Sequence, residues 1–373
     1  MKMATFEMER MQSTWENVVA CNLSESGVEP VSLRDLQAMG LDLKQLEETR
    51  LGYSQTNGTL QLREALASHY PGATVDHIEV TNGTSEANFL LCLTLLSEGD
   101  EVVFESPNYM QFAGIPPSLG VTVCTFSLRV EQDWEPDWDA LEAALTPKTK
   151  LIYVSHPNNP TGALLPRKSM ERLVAAAERA DAFLVADEVY QGAEFDGNVT
   201  PSFWGMSDRV IVTSGLSKAF GIPGVRIGWL VGPPEIVAEC WAQHDYITIG
   251  PSIIGDTVAR FAVHKQTREK LFARTAQLLC RNLEVVRRWV EGFDGFLDYV
   301  QPRAGAFAFV RYHSAVPSVE LAERIRETQD VLVVPGAQLG EEGFLRISIG
   351  VPRETLEAGL ARIKTVLDSL PRS

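Results

Sequence analysis

The sequence predicts an α/β fold: a three-layer large domain on a mainly parallel sheet, joined to a smaller α+β domain. Three observations carry this. Short apolar runs of strand length alternate with helix-period segments from about residue 60 to 232. After Pro233 the pattern changes to long helices and then clustered strands. The 373 residues exceed what one simple core accommodates.

In order, "LQLREALASHY" has helical spacing, "HIEVT" reads as a strand and "SEANFLLCLTLL" as a strongly apolar helix. "DEVVFES" and "VTVCTFSL" are strands, and "DWDALEAAL" is a helix opened by an Asp cap. "KLIYVS" is a strand closed by "HPNNPTG". The helix "SMERLVAAAERA" leads to the strand "AFLVADEVY", and "RVIVTSG" and "RIGWLVG" are two more strands. Beyond Pro233, "PEIVAECWAQHDY" and residues 254–292 read as helices. "DYVQPRAGAFAFVRY", "VLVVPG" and "FLRISIG" read as strands, and "ETLEAGLARIKTVLDSL" as a closing amphipathic helix. The expected division is a large domain over residues 48–255 and a small one from 1–47 with 256–373.

A formal charge of −16 argues against nucleic acid or an anionic membrane as partner. No run approaches a membrane span, and the polar start "MKMATFEMERMQSTWENVV" has no apolar signal core. Five scattered cysteines without a C-x-x-C read as free thiols in a reducing compartment, so a cytoplasmic location is expected.

In a parallel sheet with helices on both faces, ligands sit beyond the carboxyl ends of the strands. Polar residues just after strands are therefore the candidates. Lys218 follows "VTSG" in a Ser/Gly turn. Partial burial there would lower its amine pKa and free it as a nucleophile. Arg226, with Ser214 and Ser217, forms a candidate phosphate cradle. Gly83, Thr84 and Ser85 open an apolar helix and offer a second anion site. Asp187 ends four apolar strand residues and needs a cationic partner. Arg346, on the apolar strand "FLRISIG", needs a carboxylate from the protein or a ligand.

Together "SGLSKAFGIPGVRIGW", "HPNNPTG", "VADEVY", "GYSQTNGTLQLREAL", "TNGTSEA" and "FLRISIG" resemble the class I/II aminotransferases, pyridoxal-phosphate (PLP) enzymes of fold type I. The motifs occur in the family's order over roughly residues 20–370. The resemblance implies that Lys218 binds the cofactor aldehyde covalently and then moves protons at the substrate α-carbon. It implies that Asp187 pairs with the pyridine nitrogen, keeping the ring an electron sink. Tyr190 and Asn159 would hydrogen-bond the ring hydroxyl, and Tyr109 would stack on the ring. Gly83, Thr84, Ser85, Ser217 and Arg226 would hold the phosphate, with Tyr53 reaching the phosphate of a neighbouring subunit in a homodimer. Arg346 would clamp the substrate carboxylate, beside Asn159 and Gly27. No metal is assigned a role.

Three departures stand out. Gly215 occupies a position where several members carry Ser or Thr. "CNLSESGVEP" replaces the usual start and puts Glu25 and Ser26 near the expected substrate entrance. The region aligned with a second substrate-binding arginine, "CWAQHDYITIGPS", offers His244, Asp245 and Tyr246 and no arginine. A dicarboxylic substrate is thus disfavoured, and Asp245 and Glu25 point to a basic or polar one. Transamination between an amino acid and a 2-oxo acid is the expected reaction. The alternative is PLP-dependent elimination, replacement or cyclisation, as in aminocyclopropane-carboxylate-synthase-like or capreomycidine-synthase-like enzymes.

Overall fold

The computed structural model describes residues 2–371. Eight strands build the large sheet: β1 (Ile78–Thr81), β2 (Glu101–Ser106), β3 (Thr122–Arg129), β4 (Glu135–Pro136), β5 (Thr149–Ser155), β6 (Phe183–Asp187), β7 (Val210–Gly215) and β8 (Gly228–Val231). Their order is β1-β8-β7-β6-β5-β2-β3-β4. The run from β7 to β3 is parallel. The exception inside the sheet is β8, which runs antiparallel between β1 and β7.

Alternating strand residues face two helix layers. Val103, Ile152, Val154, Leu184 and Val212 pack on one side, against helices that include α2 (Leu60–Ala67), α4 (Trp138–Ala144), α5 (Arg167–Arg179) and α7 (Ile253–Val263). Val102, Phe104, Leu151, Val185 and Ile211 pack on the other, against α3 (Thr84–Leu95) and α6 (Pro234–His244). The Asp cap is present: the Asp137 side chain accepts from the Ala140 N–H.

A separate apolar cluster lies around a four-stranded antiparallel sheet of β9 (Leu297–Asp298), β10 (Phe307–Tyr312), β11 (Val334–Pro335) and β12 (Phe344–Ser348), in the order β9-β10-β12-β11. The long helix α8 (Lys265–Glu291) and α9 (Ser318–Gln329) pack on it with α10 (Arg353–Leu367). Residues before 48 are shared: Cys21, Leu23 and Val28 join this cluster, whereas Met8 of α1 (Glu7–Trp15), Leu36 and Leu41 join the large-sheet core. The segment after 255 is shared too, since Val258, Ala259 and Ala262 of α7 join the large-sheet core.

No helix among the described residues is long and apolar enough to cross a membrane. All five cysteines are free.

Candidate active site

Parallel pairing sets Ser155, Asp187 and Thr213 in one row across β5, β6 and β7. The row lies at the carboxyl edge, and a cavity of about 270 Å³ opens beside it. Thr84, Ser85, Tyr109, Asn159, Asp187, Tyr190, Ser217, Lys218 and Arg226 all line this cavity. Residues scattered over more than 140 positions thus share one space because their strands end together.

Asp187 is buried and lies among groups that hold a carboxylate in place. Asn88 Nδ2 donates to Oδ2 at 3.3 Å, the Tyr153 hydroxyl donates to Oδ2 at 3.1 Å, and the Val189 N–H donates to Oδ1 at 3.1 Å. Burial raises its pKa, and these three donors work against that rise. Asn88 is oriented in turn by the Thr213 hydroxyl, which donates to its Oδ1. Asn88 and Tyr153 escaped the sequence reading. The available signal was one amide in the otherwise apolar "SEANFLLCLTLL", four residues after Thr84.

The anion site forms where β1 turns into α3. Gly83 has φ +87°, and a Cβ there would lie 2.4 Å from Arg226 Nη2, so glycine admits both the turn and the guanidinium. Thr84 is only 9% exposed, and its hydroxyl has no hydrogen-bond partner. Arg226 touches the Asn82 and Pro223 carbonyls and Ser217 Oγ, with no carboxylate partner among the described residues. An orphaned buried hydroxyl costs about 1–3 kcal/mol. With an unpaired Arg at a helix N-terminus, it marks a place for a phosphate.

Gly215 has a steric cause. A Cβ at 215 would lie 2.6 Å from Thr84 Oγ1, and one at Gly228 would lie 2.3 Å from the Thr84 N. Gly215 and Gly228 are register partners across β7 and β8. Their bare backbones let the start of α3 nest on the sheet. The expected hydroxyl at 215 is therefore absent because Thr84 already fills that space.

Lys218 corrects one expectation. Burial alone would lower its pKa, but Glu25 and Tyr190 outweigh burial and raise it. Its Nζ donates to Ser26 Oγ at 2.8 Å and lies 3.4 Å from Glu25 Oε1. The Lys218 charge, aided by the Ser26 and Gly27 N–H groups, holds Glu25 down at about 2 against the opposing effect of burial. The surroundings of the amine thus favour its charged form, contrary to the expected lowering.

Arg346 is 1% exposed on β12. Its Nη1 donates to Asn159 Oδ1 at 3.0 Å and its Nη2 to the Ser24 carbonyl at 2.7 Å, while Nε has no partner. Asn159 lines the cavity and links it to Arg346; its bond to Pro160 is cis. A Cβ at Gly27 would meet the Ser217 carbonyl at 3.2 Å and the Lys218 stem at 3.7 Å, and Gly27 does not line the cavity. Tyr53 is 94% exposed and lies outside the cavity of the single chain.

His244, from the region aligned with the second arginine, has no exposed surface, lies between Glu79 and Glu86, 2.8 Å and 3.1 Å away, and does not line the cavity of this chain. Asp245 and Tyr246 are exposed. The cavity instead recruits Glu9, Gln12 and Glu16 from α1 and its end. Their spacing of three and four residues was a readable helix face that the sequence reading did not use.

The lining fits pyridoxal phosphate. An unpaired Arg and an orphaned hydroxyl suit the phosphate, a buried carboxylate suits a protonated ring nitrogen, and one amine suits an aldehyde.

Comparison with known proteins agrees. The family described as "Aminotransferase class I and II" matches residues 19–363. Capreomycidine synthase of Streptomyces vinaceus is 31% identical over 94% of this chain and 90% of its own. A PLP-dependent aminotransferase structure from Streptococcus suis superposes with a TM-score of 0.92 at 29% identity, covering 100% of both chains. The structure of the PLP-dependent cyclase OrfR superposes with a TM-score of 0.89 at 26% identity, over 99% and 98% of the two chains. The chain belongs to the class I and II aminotransferases, PLP-dependent enzymes of fold type I.

Proposed function

We propose that this protein moves an amino group between an amino acid and a 2-oxo acid, as a homodimer in the cytoplasm. The observation that carries the reading is one cavity whose lining holds Lys218, Asp187 and Arg226, with Asn159 on its wall bonded to Arg346. When bound, pyridoxal phosphate supplies an aldehyde that takes the amino group and a ring that draws electron density from the α-carbon.

The chain's own residues do the rest. Thr84, Ser85, Ser217 and Arg226 hold the phosphate, with Gly83 permitting their approach. Asp187 holds a proton on the ring nitrogen, kept in position by Asn88 and Tyr153. Tyr190 and Asn159 would hydrogen-bond the ring hydroxyl, and Tyr109 would cover the ring. Arg346 binds the substrate carboxylate, and Lys218 carries the proton to and from the α-carbon. Tyr53 reaches the phosphate of the second subunit, which accounts for its exposure in one chain. The proposed division is residues 48–255 for the cofactor unit and 1–47 with 256–373 for the unit that carries Arg346.

The likeness to capreomycidine synthase and to a PLP-dependent cyclase supports a second reading, ring closure on the substrate side chain. A single-turnover experiment separates the two. Given an amino acid and no oxo acid, an aminotransferase yields one oxo acid per active site and stops. Continued release of product under those conditions replaces transamination with the second reading.

A further inference from the structure

The cavity carries a surplus of negative charge that the cofactor does not consume. Four carboxylates line it, Glu9, Glu16, Glu25 and Asp187, against two cations, Lys218 and Arg226. Asp187 is taken by the ring nitrogen, Arg226 by the phosphate, and Glu25 is within 3.4 Å of Lys218. Arg346 is taken by a substrate carboxylate. Glu9 and Glu16 are left without a cation.

Their placement is built. Glu9, Gln12 and Glu16 fall on one face of α1 and its C-terminal cap, and that face lines the cavity. Gln12 is buried and donates through Nε2 to the Ser24 carbonyl at 2.8 Å. The same carbonyl accepts from Arg346 Nη2 at 2.7 Å. One backbone oxygen therefore sets the helix face and the carboxylate clamp at a defined separation. Glu9 is oriented by the Tyr109 hydroxyl, which donates to its Oε1 at 2.7 Å. The Glu16 carboxylate has no hydrogen-bond or ion-pair partner among the described residues. Burial, then repulsion from Glu25 and Glu9, pushes its pKa up, as befits a carboxylate without its counter-ion. Arg346 Nε, on a side chain 1% exposed and without a partner, marks the clamp end as built for a ligand's carboxylate, whereas the orphaned Thr84 hydroxyl belongs to the phosphate.

We propose that Glu9 and Glu16 form the side-chain subsite for an amino acid whose side chain ends in a cation, a guanidinium or an ammonium group. The substrate would then span from Arg346 at its carboxylate to the α1 face at its charged end. Two carboxylates in the cavity lining repel an acidic side chain and leave a neutral one unpaired, so selectivity has an attractive and a repulsive part.

This inference rests on the PLP-enzyme reading and holds for either reaction. The test uses the holoenzyme and reads amino-acid binding from the change in cofactor absorbance. Two pairs differ chiefly in charge: L-arginine against L-citrulline, and L-lysine against L-norleucine. In at least one pair the cationic member is expected to bind about tenfold more tightly or better. Which pair responds tells guanidinium from ammonium. In the double variant Glu9→Gln with Glu16→Gln, that ratio is expected to fall to within about threefold. Neutral members that bind as well as their cationic counterparts overturn the proposal, and so does a ratio that survives the double variant. The wild-type comparison decides the matter even if the variant is poorly folded. A cofactor absorbance that no amino acid of any charge perturbs overturns the enzyme reading instead, and this proposal with it.

Discussion

Arg346 and Gly215 show how single positions divide the work of the site. The Arg346 guanidinium is spaced from the cavity wall by Asn159 and keeps Nε unpaired, as suits a group waiting for a carboxylate. Arg346→Gln is expected to raise the KM for amino acids roughly 10- to 100-fold, the worth of one or two charge-assisted hydrogen bonds. Cofactor retention through gel filtration should stay unchanged; equal loss of both would move Arg346 out of the substrate site. Gly215 is a matter of volume. Gly215→Ser would push into Thr84 Oγ1 and displace the start of α3, an overpacking cost of about 1–3 kcal/mol. The expected result is weaker cofactor binding by about tenfold or more, measured by titrating the apoenzyme. Unchanged affinity would show that Thr84 does not hold the phosphate. The sequence displayed both residues plainly, but the reason for Gly215 lay in Thr84, more than a hundred positions away.

Helix α3 is held from behind by a buried polar cluster. His244, at the end of α6, lies between Glu79 of β1 and Glu86 of α3, with Thr248 alongside. Glu86 also accepts from the Asn82 N–H, and the Asn82 carbonyl accepts from Arg226. The cluster thus ties α6 to the loop that forms the anion site. Burial alone would lower the His244 pKa, but the two glutamates outweigh it and push it up to about 9. A folded pKa above the unfolded value means stabilisation that is full below about 6.5 and lost as pH rises through about 9. Burial pushes Glu79 up to about 7, which gives the same sign at lower pH. Glu86 is held down at about 2 by its donors against burial, so its contribution is full above about 4.5 and is lost as pH falls through about 2. The Tm is therefore expected to fall between pH 6.5 and 9, and His244→Gln should flatten that slope. An equal slope in both proteins would mean that His244 is already neutral. Sequence periodicity located α3, α6 and β1 within a few residues, yet left the role of His244 open. Periodicity reports which face of a helix is apolar and says little about which neighbour meets its last turn.

At the scale of the molecule, the exposed side chains Tyr53, Leu51, Tyr246 and Ile249 have no cover in one chain. Sedimentation of the holoenzyme should give twice the chain mass of 41.2 kDa. A single-chain mass together with full activity would remove Tyr53 from the cofactor site. The alternation of strands and helices, the candidate residues at strand ends that line one cavity, and the family were all legible from the sequence. They are local: apolar period and turn chemistry follow from neighbouring residues, and the motifs are contiguous. The antiparallel seating of β8, the sharing of residues before 48 between two cores, the raised pKa of Lys218 and the acidic face of α1 were decided by the tertiary structure alone. Each depends on distances between segments remote in the chain, and electrostatics and packing act through space.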